Sequence, residues 1–383
     1  MTQRIVIITE IISPYRIPLF NALAKRSEVD IHVVFLAETD PVLRQWQVYK
    51  EEIRFSYEVL PSSRRRIGRR QLLLNRGMAR SLKNAAPDVI LCGGYNYAAS
   101  WQALFWARRR EVPFVLWSES NAKDMRTGHA LVEFLKRQFL WRCHGFVVPG
   151  QSAFQYLRNY DIPESRIFTA VNAVDNDFFS SAARVAREHV IRLRRELDLP
   201  SRYFVFAGRL VREKGVFELL SAYATLSEAI RREVGLVFVG DGPCKEALER
   251  EASLVSPGIV RFAGFAQREQ LAVYYGLAEM LILPTYTDTW GLVVNESMAS
   301  GLPILITEVA GCSADLVSEN WNGKIVPARN VAALAAAMRE LATHPEVSAS
   351  MGRNSEKRIA NYSAERWTEG ILKLAESVGV ARG

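Results

Sequence analysis

The stretch Tyr203–Val216, YFVFAGRLVREKGV, contains the pattern on which the predicted fold depends. Its first five residues, Tyr203–Ala207, are apolar and typical of a buried strand, and a helical pattern begins at Val216. A short basic loop, Gly208–Gly215, joins the two. The stretch therefore reads as strand, loop and helix, which is the building unit of a parallel α/β sheet.

The loop itself has features that suit an anion. Gly208 lets the backbone approach a ligand closely, and the helix that follows offers free N–H groups. Arg209 and Lys214 add two cations on either arm of the loop, a combination that suits a diphosphate. A basic loop that is simply solvated is the alternative.

The same alternation of short apolar runs and helical patterns extends along the chain in both directions. At 383 residues the chain exceeds the usual size of one hydrophobic core, so two domains are expected. We predict two doubly wound, Rossmann-like α/β domains that face each other across a cleft. The predicted parts are an N-terminal domain at 1–180, a hinge region at 181–199, a second domain at 200–361, and a last helix at about 362–378 that packs back on the first domain.

The predicted strands and helices follow from these patterns. The predicted strands are Arg4–Thr9, Ile31–Leu36, Asp88–Cys92, Pro113–Trp117, Gly145–Pro149, Arg166–Ala170, Tyr203–Ala207, Gly235–Val239, Ile259–Ala263, Met280–Leu283, Pro303–Ile306 and Lys324–Val326. The predicted helices are Leu19–Lys25, Gln71–Ala85, Ala98–Arg109, Leu131–Arg142, Val216–Ser227, Pro243–Leu254, Arg268–Gly276 and Leu292–Ser300. In such sheets ligands bind outside the carboxyl ends of the strands, so the loops there are the candidates for chemistry.

A second such loop, Thr285–Glu296, contains two carboxylates. Asp288 lies in the loop and Glu296 in the following helix, and a carboxylate can accept hydrogen bonds from paired sugar hydroxyls. Gly291 at the helix start leaves N–H groups open to phosphate. For either carboxylate alone, stabilisation by the helix dipole is the better explanation. The glycine pair Gly240 and Gly242 is interpreted as a tight turn, and the absence of a full glycine-rich dinucleotide fingerprint disfavours a nicotinamide enzyme.

Charge is distributed unevenly along the chain. Of 49 basic and 41 acidic residues, residues 1–180 hold 25 and 17, so the entire excess of +8 lies there. The runs Arg64–Arg70 and Arg108–Arg110 contribute most of it. A solvated surface is as good an explanation as a patch that faces an anionic membrane or an anionic acceptor. No nucleic-acid partner is expected, because no nucleic-acid fold signature accompanies the arginines.

Cysteines and histidines indicate neither disulfides nor a metal site. The four cysteines lie far apart, without paired metal spacing, and the five histidines form no ligand cluster. Free thiols in a reducing cytosol and no metal are therefore expected. No apolar run reaches about 18 residues, and we interpret the N-terminus as a buried strand and not a signal peptide.

The motifs of the second half resemble a known family. GRLVREKG at 208–215, VFVGDGP at 237–243, RFAGF at 261–265 and DTWGLVVNESMASGLPI at 288–304 are similar to the donor domain of the family-four retaining glycosyltransferases, which have the GT-B fold. In the first half, Asn172-Ala173-Val174-Asp175 followed by Phe178 resembles the end of that family's acceptor domain.

The resemblance implies a nucleotide-sugar donor bound by the second domain. Arg209 and Lys214 match the family's diphosphate-binding pair, and Glu296 matches the carboxylate that holds the nucleotide ribose. Asp288 matches the first glutamate of the family's Glu-x7-Glu motif, which faces the transferred sugar, but it is one methylene shorter, about 1.5 Å. By the same match, Gly208 belongs to the donor loop. The other implied donor contacts are Gly264 and Phe265 near the base and the backbone of Trp290, Gly291 and Leu292 near the sugar and phosphates.

The mechanism implied by the resemblance needs neither a metal nor a cofactor, since the nucleotide sugar is a substrate. Arg209, Lys214 and a helix N-terminus stabilise the charge that develops on the leaving diphosphate, and domain closure excludes water. Transfer with retention of configuration follows from the family alone.

The acceptor side departs further from the family. The first loop lacks the family's early glycine pair and places Tyr15 and Arg16 before a helix, while Glu119 stands where the family often has a histidine. Gly93-Gly94-Tyr95-Asn96, at the end of another strand, is a further candidate for the cleft, with Gly94 as its proposed acceptor-side residue. For Tyr15, Arg16 and Glu119, a structural role in capping or in the loop is an equal alternative.

The sequence thus predicts a metal-independent hexosyltransferase that moves a sugar from a UDP- or GDP-sugar to a saccharide or lipid-linked acceptor in surface polysaccharide or glycolipid biosynthesis. The expected location is the cytoplasm, with peripheral association to the inner face of the plasma membrane. The alternatives are a non-catalytic lipid- or nucleic-acid-binding protein on the same fold, a nucleotide-sugar epimerase, or a phosphorylase of related fold.

Overall fold

The structure is a computed structural model that describes residues 2–40, 45–67, 70–121, 130–255 and 258–380. The chain divides into two compact units: Met1–Val174 with Ala364–Gly383, and Asp175–Ser363. The strands are β1 Gln3–Thr9, β2 Val29–Phe35, β3 Ser56–Val59, β4 Ser62–Ile67, β5 Arg70–Asn75, β6 Val89–Gly93, β7 Phe114–Trp117, β8 Gly145–Val148, β9 Ile167–Thr169, β10 Arg202–Ala207, β11 Val234–Val239, β12 Val260–Gly264, β13 Met280–Leu283, β14 Ile304–Thr307 and β15 Gly323–Val326.

The helices surround these strands in both units. They are α1 Ile17–Ala24, α2 Met78–Ala85, α3 Ala98–Arg109, α4 Ala130–Arg142, α5 Gln151–Arg158, α6 Asn176–Glu188, α7 Val190–Glu196, α8 Val216–Ala224, α9 Glu228–Glu233, α10 Lys245–Ala252, α11 Arg268–Leu277, α12 Leu292–Ala299, α13 Ser313–Leu316, α14 Val331–Thr343, α15 Pro345–Ile359 and α16 Ala364–Val380. Among the described residues, no helix is both long enough and apolar enough to cross a membrane.

The first unit is built on a parallel sheet of seven strands in the order β3-β2-β1-β6-β7-β8-β9. Its central strands are apolar almost throughout because both faces are covered: Ile5 pairs in register with Ile31 on one side and Val89 on the other. The strand order reverses between β1 and β6. This reversal is the doubly wound pattern predicted from the sequence.

The second unit contains a parallel six-stranded sheet in the order β12-β11-β10-β13-β14-β15. Here the order reverses between β10 and β13, where Phe204 pairs with Met280. Both units are therefore doubly wound, and the predicted α/β fold class is confirmed.

One predicted helix is wrong over its first half. Residues 71–75 belong to β5, which forms an antiparallel hairpin with β4, and the helix begins only at Met78. The hairpin contains the basic run, of which Gly68 and Arg69 lie outside the described residues. Arg64 of β4 ion-pairs with the buried Asp40 at 2.8 Å, so part of the run has a structural partner.

The observed unit boundaries differ from the predicted domain boundaries. The division falls after Val174, not at 180, and residues 181–199 contain the end of α6 and all of α7, inside the second unit. Helix α6 packs against α11 and α12 and buries Phe179, Ala183 and Ala186, and the hinge role of residues 181–199 stays a prediction. The last helix, α16, belongs to the first unit, where Trp367 is fully buried.

Candidate functional site

In the second unit the two candidate loops meet where the strand order reverses. The loop after β10 begins at Gly208, and the loop after β13 runs from Pro284 to Gly291. Both follow the carboxyl ends of neighbouring parallel strands, which is the usual ligand position in such sheets. The fold thus brings together two motifs that lie about 75 residues apart in the sequence.

Backbone hydrogen bonds fix these loops to each other. The Glu213 carbonyl accepts from the Tyr286 N–H at 2.8 Å and from the Thr285 hydroxyl at 3.0 Å. Gly215 adopts φ 68°, and a Cβ there would lie 2.0 Å from the Pro284 carbonyl oxygen, so only glycine fits. The loop that carries Lys214 is therefore held against the loop that carries Asp288. The roles of Thr285 and Glu213 were not predicted, because no motif residue marks a contact between the two loops.

Lys214 and Asp288, both predicted site residues, form an ion pair. The lysine ammonium donates a hydrogen bond to Asp288 Oδ2, and the Trp290 N–H donates to Oδ1 at 3.4 Å. Both side chains are largely buried. An ammonium has three donors, so Lys214 can hold the carboxylate and still donate to an incoming anion.

Arg209 is the second predicted cation of the loop. Its side chain is exposed, and within the described part of the chain its guanidinium makes no ion pair. The backbone beneath it is fixed, since Leu210 donates to the Asp241 carbonyl at 2.9 Å. Arg209 therefore carries an exposed positive charge on a fixed backbone at the rim of the site.

The start of α12 completes the anion-binding geometry. Gly291 adopts φ 100° directly before the first helical residue, Leu292. The neighbouring Trp290 has a buried ring, and its indole N–H donates to Asn295 at 2.8 Å, which fixes the turn. Free N–H groups and the helix dipole at such a terminus favour negative charge.

Glu296 lies one turn into α12, and its carboxyl is in an unusual environment. The Tyr275 hydroxyl, from α11, donates to Glu296 Oε2 at 3.0 Å. Burial raises the pKa of Glu296 to about 7, although the hydrogen bond from Tyr275 acts in the opposite direction. The contact with Tyr275 was not predicted, because nothing in the sequence indicates which helix packs beside α12.

Gly264 is the last residue of β12, an edge strand of the sheet, and Phe265 follows it. Gly264 has φ 73°, and its carbonyl accepts from the Gly240 N–H at 2.7 Å. The Phe265 ring is 39% exposed, which leaves an aromatic face free for stacking. Gly240 and Gly242 approach the Gly208–Leu210 backbone so closely that no Cβ fits, in agreement with a structural turn.

The first unit has a cavity of about 230 Å³ where its own strand order reverses. It lies at the carboxyl ends of β1, β6 and β7, and it brings together the predicted Tyr15, Arg16, Gly94 and Glu119. Gly93 and Asn96, from the same predicted segment as Gly94, also line it, and the lining residues that were not predicted are Thr9, Glu10, Ile11, Ser13, Trp46 and Tyr97. Trp46, for example, meets Tyr15 edge-on at 5.9 Å between ring centroids.

Arg16 is held firmly within this cavity. Its guanidinium donates to the Thr9 hydroxyl at 2.6 Å and to Glu119 at 3.3 Å, and it stacks 4.3 Å above the Trp117 ring. Burial alone lowers the pKa of Arg16, but the facing Glu119 carboxylate keeps it above the ordinary value. Arg16 and Glu119 therefore neutralise each other, and their polar atoms line a site suited to hydroxyl-rich ligands.

Within the part of the chain that the structure describes, no three His, Cys, Asp or Glu residues are grouped as metal ligands. The four cysteines are free thiols, three of them buried. Metal-independent chemistry stays a prediction.

Comparison with solved structures shows the fold class. The chain superimposes on sucrose-phosphate synthase from Thermosynechococcus elongatus with a TM-score of 0.74 at 20% identity, covering 99% of this chain and 100% of the other. HepE from Anabaena, in complex with UDP and glucose, gives a TM-score of 0.76 at 16% identity over 98% and 100% of the two chains. The fold is therefore that of the GT-B glycosyltransferases.

Sequence comparison shows the family. The Glycosyl transferases group 1 model matches residues 190–358, and the Glycosyltransferase Family 4 model matches residues 19–178, so that together they cover most of the chain. The chain belongs to the family-four glycosyltransferases.

Curated relatives match over part of their length. D-inositol 3-phosphate glycosyltransferase of Corynebacterium urealyticum is 30% identical over 228 residues, which is 57% of this chain and 53% of the relative. The putative teichuronic acid biosynthesis glycosyltransferase TuaC of Bacillus subtilis is 37% identical over 124 residues, 32% of this chain and 29% of the relative. The chain spans about half the length or less of the curated relatives it matches.

Proposed function

We propose that the protein transfers a hexose from a nucleoside-diphosphate sugar and that the donor binds in the second unit. The observation that carries this proposal is the convergence of Arg209, the Lys214–Asp288 pair and the start of α12 at the reversal of strand order. Two cations and a helix N-terminus at one edge of a sheet suit a diphosphate.

The proposed chemistry follows from where charge develops. As the bond between sugar and diphosphate breaks, negative charge grows on the leaving phosphate oxygens. Lys214 and Arg209 stabilise this charge, and because the loops are fixed beforehand, little reorganisation is needed during the reaction. Asp288 holds the Lys214 ammonium in position and presents its carboxylate toward the sugar.

The nucleoside part of the donor is assigned to the other predicted residues. Glu296 accepts hydrogen bonds from the ribose hydroxyls, and Tyr275 orients its carboxyl. The exposed ring of Phe265 stacks on the base, with Gly264 beside it. UDP is the first nucleotide to test, because HepE, which shares the fold, was solved with UDP and glucose.

The remaining expectations belong to the same proposal. The cavity lined by Tyr15, Arg16, Gly94 and Glu119 binds a saccharide or lipid-linked acceptor. Transfer retains the sugar configuration, requires no metal, and serves surface polysaccharide or glycolipid biosynthesis. The protein works in the cytoplasm, associated peripherally with the plasma membrane.

Thermal unfolding with free UDP and GDP tests the donor site. A nucleotide at a hundred times its Kd should add about 2.7 kcal/mol of stability. Lys214→Ala and Arg209→Ala should each weaken UDP binding at least tenfold and lower kcat/KM about 10²–10³-fold. Each substitution removes a positive charge of the protein that stabilises the leaving diphosphate. Asp288→Asn should keep UDP affinity within about threefold, because phosphate binding relies on the cations.

Arg232→Ala is the matched control, since Arg232 is an exposed arginine of the same unit that ion-pairs with Glu228 on α9. If neither UDP nor GDP raises the melting temperature, the donor-site assignment is wrong. Nucleotide binding with conversion of the sugar in the absence of any acceptor would instead indicate an epimerase.

A further inference from the structure

Helix α4 of the first unit turns large apolar side chains toward solvent. Leu131 is 68% exposed, Phe134 56% and Trp141 64%, and Leu135 lies between them on the same face. Phe134 and Leu135 follow Leu131 by three and four positions, and Trp141 follows Phe134 by seven, so the four residues form one stripe along the helix. A soluble helix normally directs such a stripe at the protein core.

The opposite face of α4 carries charge and contacts the protein. Lys136 ion-pairs with Glu133 at 3.1 Å and donates to the Tyr160 hydroxyl at 2.7 Å. Phe139, which is fully buried, meets Trp101 of α3 edge-on at 4.9 Å. These contacts fix the rotation of the helix about its axis. The apolar stripe therefore faces solvent because of how α4 packs on the protein.

The neighbouring helix α3 carries a further exposed aromatic side chain and positive charge. Phe105, one turn after Trp101, is 47% exposed, and Arg108 and Arg109 follow it on the exposed side. Arg137 of α4 stacks over the Tyr160 ring at 5.2 Å at the border of the stripe.

The β4–β5 hairpin, which packs against α3, continues this surface. Leu72 and its cross-strand partner Arg65 are both exposed, and so is Leu74. Leu73, between the two leucines, is buried, so the hairpin directs alternate side chains outward. Apolar and basic side chains are thus mixed along three adjacent elements.

The exposed side chains of α3, α4 and the β4–β5 hairpin are together called the α3–α4 surface. We propose that this surface docks on an anionic lipid bilayer, with the apolar stripe of α4 inserted among the headgroups. Leucine, phenylalanine and tryptophan on one helix face, bordered by arginines, are the composition of an interfacial helix. A second copy of the chain fits less well, since a symmetric contact would bring together two surfaces with the same positive excess. The inference rests on the proposed membrane location and not on the donor chemistry.

Co-sedimentation with vesicles tests the inference. The full chain should bind vesicles of phosphatidylcholine with 30% phosphatidylglycerol, and bind neutral phosphatidylcholine vesicles more weakly. Phe134→Glu with Trp141→Ser should lower the partition coefficient at least tenfold, because the bilayer loses two inserted apolar side chains. Arg108→Gln with Arg109→Gln should lower it about tenfold or more on anionic vesicles only.

The controls lie on the second unit. Ile191→Glu replaces an apolar residue of α7 that is 86% exposed, and Arg192→Gln with Arg195→Gln removes two exposed arginines. Neither should alter vesicle binding. Each variant is also measured for its melting temperature with and without UDP, so that folding and donor binding are read separately.

Three results would overturn the inference. The first is no binding of the wild-type chain to anionic vesicles at low salt while UDP still stabilises it. The second is equal loss of binding in the control variants. The third is a stable dimer that Phe134→Glu with Trp141→Ser converts to monomer, without vesicle binding by either.

Discussion

At the scale of single residues, Glu296 makes stability depend on pH. Burial raises the pKa of Glu296 to about 7 in the folded protein, whereas its ordinary value is about 4.5. Between these values the folded state keeps a proton that the unfolded state has lost. The free energy of unfolding therefore falls as pH rises from about 4.5 to 7.

Glu296→Gln should remove this dependence. We expect the variant to be about 2–3 kcal/mol more stable than the wild type at pH 8 and nearly equal to it at pH 4.5. Urea denaturation at the two pH values measures the difference. Glu251→Gln, at an exposed glutamate of α10, is the control, and equal effects of Glu296→Gln at both pH values would contradict the assignment.

Some residues of the candidate donor site could be predicted from their motifs, and others could not. Arg209, Lys214 and Asp288 were recognised because a phosphate site needs charge in loops after strands, and their spacing is local within each loop. The ion pair between Lys214 and Asp288, 74 positions apart, was not predicted, because it depends on β10 lying beside β13 in the sheet. Tyr275, in contrast, reaches Glu296 through helix packing, which depends on side-chain fit and leaves no pattern in the sequence.

At the scale of elements, buried parallel strands were the most predictable because both their faces are covered. β13, Met280–Leu283, agrees with its prediction at both ends. The hairpin was missed since its alternation, with Leu73 inward and Leu72 outward, is only three residues long. Residues 71–75 pair with β4 as part of β5, so they are not in the helix that was predicted there.

The docking of α16 depends on a close approach at Gly370. A Cβ there would lie 2.4 Å from the Thr169 carbonyl oxygen and 2.7 Å from the Ala170 Cα. Gly370→Leu should therefore destabilise the protein by about 1–3 kcal/mol or more, because backbone must move to admit the side chain. Urea denaturation measures the loss.

Glu376→Leu, on the exposed side of the same helix, is the control and should change stability by less than about 0.5 kcal/mol. Similar losses for the two variants would mean that α16 does not pack as described.

At the scale of the whole molecule, the two units differ in charge. The first unit holds 28 basic and 18 acidic residues, and the second holds 21 and 23. The positive excess is thus confined to the unit that contains the α3–α4 surface. The donor loops lie in the slightly acidic unit, so the net charge does not arise from the diphosphate site.

Separate cores predict separate unfolding transitions. Trp367→Ala should cost about 3–5 kcal/mol in the first unit, because the Trp367 ring packs 5.5 Å from Trp117 and 5.8 Å from Phe20. Calorimetry should show that only one transition shifts. UDP should raise the other transition alone, by stabilising the second unit.

Phe206→Ala, in the core of the second unit, is the reciprocal control and should lower the transition that UDP raises. A single transition that all three changes move equally would contradict independent unfolding of the units.

The return of α16 to the first unit sets an order of events during synthesis. Residues 2–174 emerge from the ribosome without the helix that covers Phe20 and Trp117. The intervening 175–363 must be translated first, which takes about 10–40 s at roughly 5–20 residues per second. During that interval the second unit can complete its core while the first exposes an aromatic face. The nascent first unit is therefore the part of the chain that we expect to need chaperone protection.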